Sequence, residues 1–143
     1  MNWRRLATGQ LRDRGAAAVE FALLLPVVLL LLFGIVDFGR ALNAQITITQ
    51  AAREGARLGA LGVAPATVVT KTQAAATGLS PVPTVNTGTA CPVGAAAGVD
   101  AVVIVSYTFT YLTPVAAIGK MFGSNNILPT KTLTGRGEMP CET

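Results

Sequence analysis

The hydrophobic positions of this chain form one long block near the amino terminus. Residues 21 to 36 carry no charge, and nothing among them is more polar than Pro26 and Gly34. A helix over residues 16 to 36 rises about 32 Å, close to the roughly 30 Å thickness of the hydrocarbon core of a bilayer. The block therefore predicts a transmembrane helix over residues 16–37.

The charges on either side of this block predict its direction. Four arginines and one aspartate precede it, whereas Asp37 and Arg40 nearly balance each other beyond it. The positive-inside tendency then keeps residues 1–15 in the cytoplasm, as a leader without regular structure, and exports everything after the span. The alternative is a secretory signal peptide and a soluble secreted product. We disfavour it because the run is long for such a peptide, and cleavage after Ala44 would place Leu42 where a small residue is needed.

Beyond the span, apolar residues recur with helical spacing and predict a helical extension over residues 38–62. The segment ITIT at 46–49 mildly favours a strand, but we interpret it as helix. One face of the extension would let another backbone approach closely; it consists of Ala51, Ala52, Gly55, Ala56 and Gly59. The charged positions Arg53, Glu54 and Arg57 are either a solvated helix surface or a docking face.

Residues 63–143 predict a small exported α+β domain. A short helix is expected over 64–79, followed by a loop over 80–98 with one short strand near 82–85. Strict alternation over 99–111 indicates the main strand, with Val103, Val105, Tyr107, Phe109 and Tyr111 on one face. Residues 115–123 are expected as a helical turn or loop.

A last strand over residues 126–139 would return antiparallel to the main strand, with Pro129 forcing an edge or a bulge. The predicted fold class is therefore α+β. It consists of a long N-terminal transmembrane helix that extends into the exported compartment and carries a small antiparallel β-sheet.

Charge and composition argue against nucleic-acid binding and catalysis. Of the formal charge of +4, the first 15 residues contribute +3 (four Arg less one Asp), so the remainder is nearly neutral and shows no basic cluster. The chain has no histidine, and its carboxylates lack the spacing of a metal site or an acid/base pair. We predict neither an enzyme nor a cofactor, metal or small-molecule site.

Glu20 is the charge that makes the span unusual. A carboxylate at the edge of an apolar helix costs a few kcal/mol unless something pairs with it. It either lies among lipid headgroups or meets a partner. Cleavage after Gly15 would create an amine on Ala16 with Glu20 as the fifth residue, and the two charges would then compensate each other between neighbouring subunits.

The stretch RGAAAVEFALLLPVVLLLLFGIVDFGR, followed by AAREGARLGA, resembles the TadE-like family of pseudopilins from the Tad (Flp) pilus system, a branch of the type IV pilin superfamily. The resemblance covers about residues 12 to 60. It implies a prepilin-type leader cut by a prepilin peptidase between Gly15 and Ala16, with Glu20 as the assembly glutamate and Phe21 as its aromatic neighbour.

The resemblance also implies a function and partners. The expected role is that of a minor pseudopilin in assembly of a Tad/Flp (type IVc) pilus, supporting adherence or secretion. Its partners would be the bacterial inner membrane, the prepilin peptidase, other pilins or pseudopilins and the Tad assembly platform. The amino terminus would be cytoplasmic and the carboxyl terminus periplasmic. The alternative is a single-pass anchor that does not polymerise and presents a small periplasmic binding domain.

The chain has two cysteines, Cys91 and Cys141. In an oxidising exported compartment such a pair is expected to form a disulfide, which would contribute a few kcal/mol to a domain with a thin core. Two free thiols are the alternative if the chain never meets an oxidant.

Overall fold

A computed structural model describes residues 7–89, 91, 98–112 and 130–141, with side chains from residue 15 onward. The helices and strands occur in the order α1 (Ala7–Ala60), α2 (Pro65–Ala75), β1 (Thr84–Thr89), β2 (Asp100–Thr110) and β3 (Thr130–Pro140). This confirms the predicted α+β class, a long apolar helix with a small antiparallel sheet. The turn predicted at 115–123 and the start of the last strand predicted before Thr130 lie outside the described residues.

Helix α1 is continuous over 54 residues and includes Pro26. It already includes residues 7–15, so the prediction of a leader without regular structure is wrong for these residues. No proline lies among them to interrupt the helix. The ITIT segment is helical, as predicted. The hydroxyls of Thr47 and Thr49 donate to carbonyl oxygens four residues earlier, at 2.9 and 2.7 Å, so both are satisfied within the helix.

The surroundings of α1 change abruptly at one position. Every residue from 15 to 36 is exposed on all sides of the helix, and the helix is apolar enough to cross a membrane. At Asp37 one face becomes buried, and it stays buried to Ala60. The sheet domain therefore packs along the second half of α1 and leaves the apolar residues 15–36 uncovered.

The sheet has the order β1-β2-β3, with β2 antiparallel to both neighbours. Its central strand is the one that the alternating pattern predicts, and four of the five residues assigned to its inner face are buried, namely Val103, Val105, Tyr107 and Phe109. The fifth, Tyr111, lies beyond the strand and is 37% exposed, although its ring contacts Phe109 edge to face.

Strand β2 runs along α1 in the opposite direction. Ala101 packs beside Ala60 at the carboxyl-terminal, or distal, end of α1. At the other end of β2, the Arg40 guanidinium lies 5.2 Å from the centre of the Phe109 ring. The helix rises about 35 Å between residues 37 and 60, and a strand covers about 36 Å in eleven residues. The main strand is thus just long enough to return to the point where the uncovered apolar segment ends.

Strand β3 approaches α1 through two glycines that lack the side chain to hold it away. A Cβ atom built on Gly135 would lie 2.7 Å from the carbonyl oxygen of Ile48, and one on Gly137 would collide with the carbonyl group of Ala52. Two strand residues advance about as far as one helical turn, so both glycines meet the helix backbone. The GRG sequence therefore sets the close contact between helix and sheet.

The small-residue face predicted on α1 is this contact surface, since all five of its residues are buried. A Cβ on Gly59 would lie 3.3 Å from Cβ of Ala101, and one on Gly55 would collide with Oγ1 of Thr72 in α2. The charged positions between them, Arg53, Glu54 and Arg57, are exposed, as expected for a solvated surface. The small residues of this face therefore let the sheet domain and α2 pack closely on their own helix.

Helix α2 and strand β1 complete the domain with bounds that differ from the predictions. Helix α2 ends at Ala75, earlier than residue 79. Strand β1 is centred later than 82–85, because its bounds follow its pairing with β2, from Thr84 opposite Ser106 to Thr89 opposite Val102. The hydroxyl of Tyr107 donates to the Ser80 carbonyl at 3.0 Å and ties the intervening loop to the sheet.

Candidate assembly site

The predicted cleavage positions lie inside the continuous part of α1. Gly15 and Ala16 are exposed, and a Cβ built on Gly15 would have no atom within 4 Å. Glycine lowers helix stability by about 1 kcal/mol relative to alanine. The peptide bond between them is therefore accessible and lies where the helix is weakened.

Glu20 stands one helical turn beyond Ala16. Residues four apart lie on the same face of a helix, about 6 Å apart along its axis. The Glu20 side chain is exposed, and within the described part of the chain it has no hydrogen-bond or ion-pair partner. Its neighbour Phe21 is 65% exposed. The structure brings Ala16 and Glu20 onto one face and leaves the carboxylate available to a group from outside the chain.

The segment around Glu20 has no packed side of its own. Its exposed large apolar residues surround the helix and extend to Val36. In water such a surface would be strongly unfavourable, at about 25 cal/mol per Å² of apolar area. Lipid or other apolar helices must therefore cover it.

Cys91 and Cys141 form the predicted disulfide, with Cα atoms 5.7 Å apart. Cys91 is buried against Ala60 and Ala101. The backbone N–H of Cys141 donates to the carbonyl of Val99 at 2.9 Å. The disulfide joins the segment after β1 to the end of β3, beside the distal end of α1 and far from Glu20.

A second polar cluster, which the sequence did not reveal, lies where the uncovered segment ends. Asp37 is 3% exposed, and its Oδ1 accepts hydrogen bonds from Arg40 and from the backbone N–H of Leu112, both at 3.1 Å. The Arg40 guanidinium also lies over the Phe109 ring. The sequence shows Asp37 and Arg40 three residues apart, a spacing that predicts an ion pair but not the partner 75 residues away.

In the ranges 15–89, 98–112 and 130–141 together with Cys91, no group of three or more His, Cys, Asp or Glu side chains could hold a metal ion. A shallow groove of about 320 Å³ lies at the distal end of the domain. It is lined by Arg57, Ala60, Leu61, Met139, Pro140 and Cys141.

Comparison with known proteins finds a family match within helix α1. A family model described as TadE-like protein matches residues 15–57, which begin at the predicted cleavage glycine and end within the packed part of α1. No curated protein and no solved structure matches the chain significantly. The sheet domain, residues 63–143, lies outside the matched range. Over residues 15–57 the chain is similar to the TadE-like family, which confirms the resemblance predicted from its amino-terminal sequence.

Proposed function

We propose that this chain is a minor pseudopilin of a Tad pilus system, with a structural and not a catalytic role. It is inserted in the bacterial inner membrane with its amino terminus in the cytoplasm and its sheet domain in the periplasm. A prepilin peptidase removes residues 1–15, and the processed chain takes part in pilus assembly. The family match over residues 15–57 and the uncovered apolar segment support this proposal.

The observation that carries the proposal is the position of Glu20. Its carboxylate has no partner among the described residues and lies on an apolar surface that other molecules must cover, one turn from the amine that cleavage would create. A charge in that environment costs a few kcal/mol unless it is neutralised. Pairing Glu20 with the Ala16 amine of a neighbouring subunit neutralises both charges, which removes the cost of each, and sets the axial offset between the two helices.

The first test is the mass of the protein extracted from membranes of cells that make the pilus. Cleavage after Gly15 predicts a chain that begins at Ala16. An intact amino terminus at Met1 would refute processing and favour an anchor that does not polymerise. A terminus at Gln45 would indicate a secreted soluble protein.

The second test is Glu20→Ala, with Glu54→Ala as its matched control. Both substitutions remove an exposed carboxylate from α1, but Glu54 lies outside the apolar segment, beside Arg57 at 4.0 Å. Glu20→Ala is expected to leave insertion and cleavage intact and to reduce incorporation into the pilus or the number of pili. Glu54→Ala is expected to leave incorporation and pilus number unchanged. Normal piliation with Glu20→Ala would refute charge pairing.

A further inference from the structure

The end of β2 is held at the height of α1 where the apolar segment stops. Oδ1 of Asp37 accepts a hydrogen bond from the backbone N–H of Leu112 at 3.1 Å. Asp37 directly follows Val36, the last residue of the uncovered apolar segment. A buried carboxylate that binds a backbone donor fixes the position of the segment that carries it. Leu112 therefore lies within a few ångströms of the level of Val36.

At this level the domain exposes side chains of a particular kind. Leu112 is 71% exposed, Tyr111 37% and Phe38 65%, and the Arg40 side chain is 43% exposed. We call Phe38, Arg40, Tyr111 and Leu112 the collar. Apolar, aromatic and arginine side chains together are typical of the layer between hydrocarbon and water, where rings and long cationic chains have one apolar and one hydrated end.

The thickness of that layer agrees with the positions. The bilayer is about 40–45 Å thick with headgroups and about 30 Å without, which leaves roughly 6 Å on each side. Arg40 stands four residues beyond Val36, about 6 Å along the helix axis. If the segment from Ala16 to Val36 fills the hydrocarbon core, the collar falls within the headgroup layer.

We propose that the collar is a lipid-contacting surface, and that the exported domain rests on the outer face of the membrane through Tyr111 and Leu112. The partner is the headgroup and upper acyl region of the bilayer. The argument for this partner is continuity with the apolar segment, since Leu112 is tied to the residue at which that segment ends. The proposal rests on membrane insertion, which is part of the proposed function.

Tryptophan fluorescence in vesicles tests the proposal with the full chain. The sole tryptophan of the sequence, Trp3, is first replaced by phenylalanine. Single tryptophans are then introduced as Leu112→Trp, as Leu30→Trp within the apolar segment, and as Leu61→Trp at the distal end of α1. All three sites are substantially exposed, so the larger ring is accommodated. The vesicles contain phosphatidylcholine brominated at a shallow or a deep acyl position, at low protein density.

The expected pattern is specific. Leu30→Trp is quenched most by deep bromines, and Leu112→Trp is quenched most by shallow bromines and emits at shorter wavelength than Leu61→Trp. Leu61→Trp, about 36 Å beyond the span along the helix axis, is not quenched. Formation of the Cys91–Cys141 disulfide in each variant shows that the domain has folded.

Two results would overturn the proposal and separate it from the proposed function. If Leu30→Trp is quenched and Leu112→Trp is not, the span is inserted and the collar does not touch lipid. A blue-shifted but unquenched Leu112→Trp would place a second protein copy on the collar instead. If Leu30→Trp is itself unquenched, membrane insertion fails and both proposals fall together.

Discussion

Gly137→Ala tests whether close approach of β3 to α1 holds the domain together. A Cβ at this position would collide with the Ala52 carbonyl group and lie 2.7 Å from the backbone nitrogen of Arg53. These are backbone atoms of a helix, so no side-chain rotation relieves the contact. Gly137 is also paired with Val103 in the sheet, so β3 cannot retreat without disturbing its ladder with β2.

The magnitude follows from two opposing effects. Replacing glycine by alanine in a strand ordinarily stabilises by about 0.5–1 kcal/mol, because glycine loses more backbone freedom on folding. Overpacking against rigid neighbours costs about 1–3 kcal/mol or more. Separation of the helix from the sheet would also expose Ala52 and Ala56, which are fully buried. Because the added Cβ meets rigid backbone atoms, the overpacking cost lies at the upper end of its range, and we expect Gly137→Ala to lower the free energy of unfolding by about 2 kcal/mol.

Gly88→Ala is the matched control. It also lies in a strand, but the atom nearest to an added Cβ is the Val102 carbonyl oxygen at 3.6 Å, which is ordinary contact. We expect no loss of stability there and a gain of up to about 1 kcal/mol. Urea unfolding in detergent, followed by the near-ultraviolet circular dichroism of buried Tyr107, measures both variants. Equal stability of Gly137→Ala and Gly88→Ala would refute the packing argument.

Two further predictions concern a buried hydroxyl and the disulfide. Thr72→Val is expected to stabilise the domain by about 1 kcal/mol, because Oγ1 of fully buried Thr72 has no hydrogen-bond partner among the described residues; the control Thr70→Val removes an exposed hydroxyl that donates to the Ala66 carbonyl and should change stability little. A loss of stability in Thr72→Val would show that the hydroxyl has a partner in solution. Joint replacement of Cys91 and Cys141 by serine is expected to lower the free energy of unfolding by about 2–4 kcal/mol, since the bond closes a separation of 50 residues. An unchanged urea midpoint in that variant would contradict this estimate.

Features that depend on local periodicity could be predicted from the sequence. The apolar run defines the uncovered half of α1 because every side of a membrane helix must be apolar. The alternation over 99–111 predicts β2 and its buried face, because neighbouring strand residues point to opposite sides of the sheet. The register of Gly15, Ala16 and Glu20 is equally local, because one helical turn brings Ala16 and Glu20 onto a common face.

Features that depend on contacts between distant segments required the tertiary structure. The sequence determined that α1 is long, that its first half is apolar and that β2 is the central strand. The structure alone decided that Asp37 binds the backbone of Leu112, that Gly135 and Gly137 lie against turns of the helix, and that the small-residue face of α1 serves its own sheet. Each of these depends on which residues folding brings together across tens of positions, and no local period of side chains carries that information.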